Sequence, residues 1–265
     1  MLGKNYGARG SSTDSYERSL KDSASVQMKS LLSEEFIAKV PEGRRNAVHT
    51  AYAKASKTII DILNLYADRL SEIRESGYGF NEDGEKVKRG SFYSPQGSYI
   101  AMNESMTNDE YTDVIKHELG HFADHMLGTA SCSDTFIQAV AAETEKFHMD
   151  TSDGFLRLND LLDDAFSSGA CYDRNVTDIM SALLLNHPMI KKRFDQESIT
   201  GYVAYYQHNT QYWEKTDVNG KPLHMREKEC FANIFAIVTD GYRISRDFIE
   251  RWFPEIVDAF FSIIG

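Results

Sequence analysis

His117, Glu118 and His121 carry the clearest chemistry in this sequence, in the order His117-Glu118-Leu119-Gly120-His121. On a helix, residues four apart lie one turn apart on the same face, so the two imidazoles would point the same way. Two neutral imidazoles at that spacing can bind one zinc ion, and a carboxylate beside the first reaches a water held on the metal. The residue types suit the task. Imidazole is a ligand that zinc accepts, and a carboxylate can take a proton from a zinc-bound water whose pKa has fallen to about 7. Five residues are a short pattern, so the elements that position them must decide its meaning.

The local pattern places the motif inside a helix. Thr107-Asn108-Asp109-Glu110 has the form of a capping box, with Thr107 as N-cap and Glu110 three residues on. Tyr111, Ile115, Leu119, Phe122 and Met126 form an apolar stripe, and Gly128 supplies a stop. A catalytic site of this type wants three protein ligands and one open position. No Gly-x-x-His follows at a useful distance, so a carboxylate from a later helix is the expected third. Residues 225–239 read as such a helix. Glu229 heads its apolar run Phe231-Ala232-Asn233-Ile234-Phe235-Ala236. An unpaired buried carboxylate is costly, which gives Glu229 a reason to face a cation. Taken alone, Glu227 or Glu229 could equally be a carboxylate on a solvated helical turn. Cys230 points about 100° away from Glu229 and reads as a buried thiol. His125, two turns beyond His117, reads as a supporting or surface residue.

The rest of the chain is mostly helical in pattern. Residues 1–15 are rich in Gly, Ser and Asn and read as a flexible lead-in. Residues 16–38 show weak helical periodicity, and 44–75 read as one long helix through Ala47, Ala51, Ile59, Ile62, Leu63 and Tyr66. Between 77 and 104 the character changes. A hairpin with Asp83-Gly84 at its turn is followed by a short strand, Ser98 to Asn103, so a small sheet of three or four strands precedes the motif helix. Helical segments follow at 134–148, 154–166 and 174–186, then an aromatic stretch from Gly201 to Trp213, and helices at 225–239, 243–251 and 254–263. The fold class expected is therefore α+β and predominantly helical, with a small sheet before the motif helix and an N-terminal helical extension.

Composition narrows the partners. Lys and Arg number 29 against 40 Asp and Glu, a net charge of −11, which argues against nucleic acid and against an anionic membrane surface. The three cysteines form no C-x-x-C pair, so a disulfide framework is not expected. No apolar stretch approaches the roughly 18 residues of a membrane span, and no signal-peptide pattern is visible. Cellular location is left open.

The sequence resembles a known group at these residues. His-Glu-x-Gly-His followed by Asp124, with Glu-x-Phe-Ala at the head of a late helix, is similar to gluzincin peptidases of the anthrax-lethal-factor-like type. That group includes the small clostridial proline-specific endopeptidases. Related zincin domains occur in phage head-associated and toxin-like proteins. The matching stretches span roughly residues 85–260 and include 90–103, 107–127, 176–182, 206–213 and 229–236. The resemblance implies a zincin-like domain over 77–265, preceded by an N-terminal helical part at 16–76. It implies that zinc is held by His117, His121 and Glu229, and that Glu118 is general base and then general acid. A peptide or protein substrate would pair along the 98–103 strand as a sheet edge. Asp124 would hold a ligand imidazole from behind. Asn233 stands where the relatives often carry an acidic residue, and its amide could still accept a hydrogen bond from a ligand histidine. The pattern also departs from the group. Pro222 occupies the position where the relatives carry a transition-state-stabilising Tyr. His224, Tyr212, His208 and Tyr206 are the candidate substitutes.

The expected function is that of a zinc-dependent endopeptidase, of a phage-associated or toxin type. The alternative is a degenerate zincin that serves as a structural or interaction module. The departure at Pro222 motivates that alternative, and the intact Glu118 weighs against it.

Overall fold

A computed structural model describes residues 31–76, 78–80, 86–88, 90–147, 152–184, 208 and 210–265. The lead-in, residues 16–30, the Asp83-Gly84 turn, His148, His187 and Tyr202 to Tyr206 lie outside the described residues.

The motif helix α4 (Asn108–Met126) begins as its sequence dictates. Thr107 Oγ1 accepts from Glu110 N at 3.2 Å, and Glu110 Oε2 accepts from Thr107 N at 2.8 Å. Two orphan N–H groups of the first turn are thereby satisfied. Tyr111, Ile115, Leu119 and Phe122 are fully buried, as the stripe predicts. The chain leaves the helix through Gly128 at φ 80°, a left-handed conformation that glycine adopts without strain.

The partner of α4 is α9 (Met225–Asp240), buried on nearly all sides from Glu229 to Thr239. The two backbones touch at Gly120. A Cβ built there would fall 2.7 Å from Ala232 Cα and 2.8 Å from its carbonyl oxygen. The glycine of the motif is thus required by helix approach. On the far side α9 packs on α7 (Arg174–Leu183), and α5 (Asp134–Lys146), α6 (Ser152–Ser168), α10 (Arg243–Trp252) and α11 (Pro254–Ile264) complete the helical layer.

The sheet lies against α4. Its order is β1-β5-β4: β1 (Glu72–Ser76) runs parallel to β5 (Tyr99–Asn103), and β4 (Phe92–Ser94) runs antiparallel to it. A second, two-stranded ladder pairs β2 (Tyr78–Phe80) with β3 (Lys86–Lys88), as the hairpin pattern predicts. The fold is α+β and mainly helical, with one small mixed sheet and an N-terminal helical region.

Two expectations need correction. The 98–103 strand is no edge: β5 is paired on both sides, and Ile100, Ala101 and Met102 are fully buried, as a central strand requires. The edge beside the motif helix is β4. The second correction concerns 44–75, which is broken into α2 (Arg45–Tyr52), α3 (Lys57–Leu65), a 3-10 turn at Ala67–Arg69 and then β1. Ser56 ends the first run by capping the next, its Oγ accepting from Ile59 N at 3.3 Å. In Glu72-Ile73-Arg74-Glu75-Ser76 only Ile73 is apolar, and pairing with β5 sets the conformation.

This N-terminal part is built into the same core. One cluster of buried side chains runs from Leu32, α1 (Glu34–Ala38) and α2 through to Phe260. Arg44 ties the regions together, donating to Glu75 Oε1 and Asn108 Oδ1 at 2.7 Å each and to Met106 O at 3.0 Å.

Gly120→Ala tests the helix contact, and its sign is decisive. Helix propensity alone would stabilise the chain by about 1 kcal/mol, whereas overlap with Ala232 should destabilise it by about 1–3 kcal/mol. Urea unfolding of the two proteins measures the difference. A variant at least as stable as the parent would contradict the close approach.

Candidate metal centre

The contact at Gly120 sets α9 over the histidine face of α4. His117 Nε2 and His121 Nε2 lie 3.2 Å apart. Glu229 Oε2 lies 3.2 Å from the first and 3.4 Å from the second. Three donors arranged tetrahedrally around zinc at its usual bond lengths sit roughly 3.4 Å from one another. The triangle has that size. Glu229 is 3% exposed, and its Oε2 takes no aligned hydrogen bond. A buried acceptor facing two imidazole nitrogens needs protons or a cation between them. The donor set, two imidazoles and a carboxylate, is one that zinc accepts. His117, His121 and Glu229 therefore fit a metal ion.

His117 and Glu229 each act strongly on the other's charge. Burial opposes the charged form of His117, but the facing oxygen and the charge of Glu229 outweigh it and lift the imidazole to about 9. Burial likewise opposes charge on Glu229. The two imidazoles overcome that and hold its carboxyl well below the usual range. Asp178, His208 and Glu229 form a second close group. Its oxygens are already committed: those of Asp178 to His208 and Asn233, and Glu229 Oε1 to Tyr212. The triangle of His117, His121 and Glu229 has no such competition.

Glu118 projects from the neighbouring position of α4 into the same cleft. It is 5% exposed, and burial raises its carboxyl, an effect the two histidines partly offset. The backbone N–H of Tyr93 on β4 faces it and also offsets part of that rise. The cleft has a volume of about 520 Å³. Its lining includes Ser91, Phe92, Tyr93 and Pro95 in and beside β4, His117, Glu118 and His121 from α4, and His208 and Tyr212.

Of the candidate substitutes at the Pro222 position, two reach this cleft. Tyr212, in the short helix α8 (Thr210–Trp213), donates its hydroxyl to Glu229 Oε1. Burial and then the Glu229 charge raise its phenol, so the hydroxyl stays a donor. The His208 ring stacks on Tyr212 with centroids 3.9 Å apart and planes 16° apart. His224 is not brought in. It sits at φ 55° just before α9, with Nδ1 at 3.7 Å from Glu227 Oε2. Glu227 faces that histidine and Arg226, which leaves Glu229 as the carboxylate on the motif. Tyr206 lies outside the described residues.

The two supporting residues divide. Asn233 Oδ1 lies 2.8 Å from His117 Nδ1, behind the imidazole, as expected. Asp124 holds no imidazole: its oxygens accept from Ser131 N and Ser131 Oγ at 2.7 Å each. After Met126 the chain turns back through a 3-10 turn at Ala130–Cys132, which delivers both donors to Asp124. Asp178 and Tyr93 are the site residues that motif reasoning misses. The signal for Asp178 was a lone carboxylate within Val176-Thr177-Asp178-Ile179-Met180, every residue of which is buried. Tyr93 gave none, because its part is played by the backbone N–H and by a hydroxyl 2.7 Å from His125 Nδ1. All three cysteines are free thiols, and Cys230 is buried. No protein-family profile, curated protein or solved structure matches the chain.

Asp124→Ala leaves two Ser131 donors without their acceptor in a buried place. It should cost about 1–3 kcal/mol of stability, read by urea unfolding. An unchanged midpoint would show that this turn does not depend on Asp124.

Proposed function

We propose that the chain is a zinc-dependent endopeptidase. The observation that carries the reading is the triangle of His117 Nε2, His121 Nε2 and Glu229 Oε2, with edges of 3.2, 3.2 and 3.4 Å, beside a buried Glu118. Bound zinc would lower the pKa of a coordinated water to about 7 and polarise a carbonyl oxygen. Glu118 takes the proton of the attacking water and later delivers it to the leaving amine. Its raised pKa, caused first by burial, suits a group that must release that proton again. Asn233 accepts from His117 Nδ1, which leaves Nε2 as the ligating atom. An extended substrate pairs with the backbone of β4, the strand at the edge of the sheet, and so crosses the cleft. Tyr212 and His208, which also line the cleft, would meet charge developing on the carbonyl oxygen.

The test combines metal analysis with a diverse peptide library. The parent protein should carry about one zinc per chain and cleave peptides in a chelator-sensitive way. Glu118→Gln should keep the zinc and the melting temperature, and lose roughly 10²–10⁴-fold in turnover. Full activity in that variant, or a parent that binds zinc and cleaves nothing, would end the peptidase reading. The second outcome would favour the interaction-module alternative.

A further inference from the structure

We propose that Asp178 is a positioning residue that sets which nitrogen of His117 faces the metal, acting through the amide of Asn233. The inference rests on the metallopeptidase reading. Asp178 projects from α7 toward α9 and is 2% exposed. Among the described residues its carboxylate has no lysine or arginine partner. Its neighbours are an amide and an imidazole: Asn233 Nδ2 donates to Oδ2 at 2.8 Å, and His208 Nδ1 lies 3.2 Å from Oδ1.

The direction of this chain of bonds follows from what each group can do. A carboxylate oxygen accepts, so Asn233 turns its NH2 toward Asp178. Its carbonyl oxygen is then forced toward His117 Nδ1, 2.8 Å away. A carbonyl only accepts, so Nδ1 carries the imidazole proton. Nε2 is then the nitrogen left for a metal, and it faces His121 Nε2 and Glu229 Oε2. An amide alone could not do this, because it presents either end with equal ease. The acceptor-only group behind it removes the choice. His208 on the other oxygen holds the carboxylate in the orientation that Asn233 needs.

Asp178→Asn is nearly isosteric and removes that one-way constraint, since an amide at 178 can donate to Asn233 as well as accept from it. Zinc affinity, measured by competition with a chromophoric chelator, should weaken by about 10–100-fold. Asn233→Leu breaks the same route, so the double variant should bind zinc no more weakly than Asn233→Leu alone. In the zinc-loaded parent, the Nδ1 proton of His117 should exchange slowly with solvent by NMR, and in Asp178→Asn rapidly. Where the parent binds zinc, either of two results would overturn the inference: an Asp178→Asn variant with parental zinc affinity and only a lowered melting temperature, or losses from Asp178→Asn and Asn233→Leu that add in full. A parent that binds no zinc removes the metallopeptidase reading and this inference with it. A zinc-binding parent beside an unaffected Asp178→Asn removes this inference alone.

Discussion

The site depends on one ionised group, Glu229, held in a nearly water-free place. Taking a carboxylate out of water costs several kcal/mol even after the protein relaxes, and nearby opposite charge or a metal must offset it. The structure answers from three directions. Two imidazoles stand within 3.4 Å of Oε2, and a tyrosine hydroxyl closes off Oε1. None of these groups is adjacent to Glu229 in sequence. They can meet it only because α4 and α9 approach until backbone touches backbone at Gly120 and Ala232. A larger residue at 120 would part the helices and leave the carboxylate buried without its partners. The glycine at the centre of the motif and the glutamate more than a hundred residues away are therefore two halves of one requirement.

What the sequence made legible follows from the range of each interaction. The capping box, the buried stripe of α4 and the two histidines are local features, encoded within about four residues, and the structure holds them as the spacing requires. Glu229 was legible for an energetic reason: a charge at the head of an apolar run must be matched. The misreadings are all tertiary. The 98–103 strand was expected at an edge from the resemblance alone, and its pairing with β1 shows it to be central. Residues 72–76 carry a single apolar side chain, so no count of apolar spacing could place them in a sheet. Asp124 lies at helical spacing from His121, but the donors that claim it arrive on a turn beyond the end of the helix.

The N-terminal helices, which motif reasoning set apart from the site, serve it directly. β1 pairs with the full length of β5 and so fixes the central strand on which β4 is laid. Arg44 reaches β1 through Glu75, the loop before α4 through Met106 O, and the start of α4 through Asn108. A guanidinium is suited to this, since its donors fan out in one plane toward several acceptors. The strand and the helix that line the cleft are thereby registered to each other by residues far upstream of both.

The departure at Pro222 can be weighed in the same terms. A proline has no side-chain donor, and here it pairs with Thr216 in an isolated bridge of the loop ahead of α9. What catalysis needs is a donor directed at the reacting oxygen, and no particular sequence position is required to supply it. Tyr212 lies within hydrogen-bond reach of the proposed ligand carboxylate, its ring stacked on His208 and packed edge-on against buried Trp213. A hydroxyl fixed in this way by packing loses little orientational freedom when it changes acceptor. A proline at 222 is then compatible with the proposed site, because Tyr212 presents another donor to the same cleft.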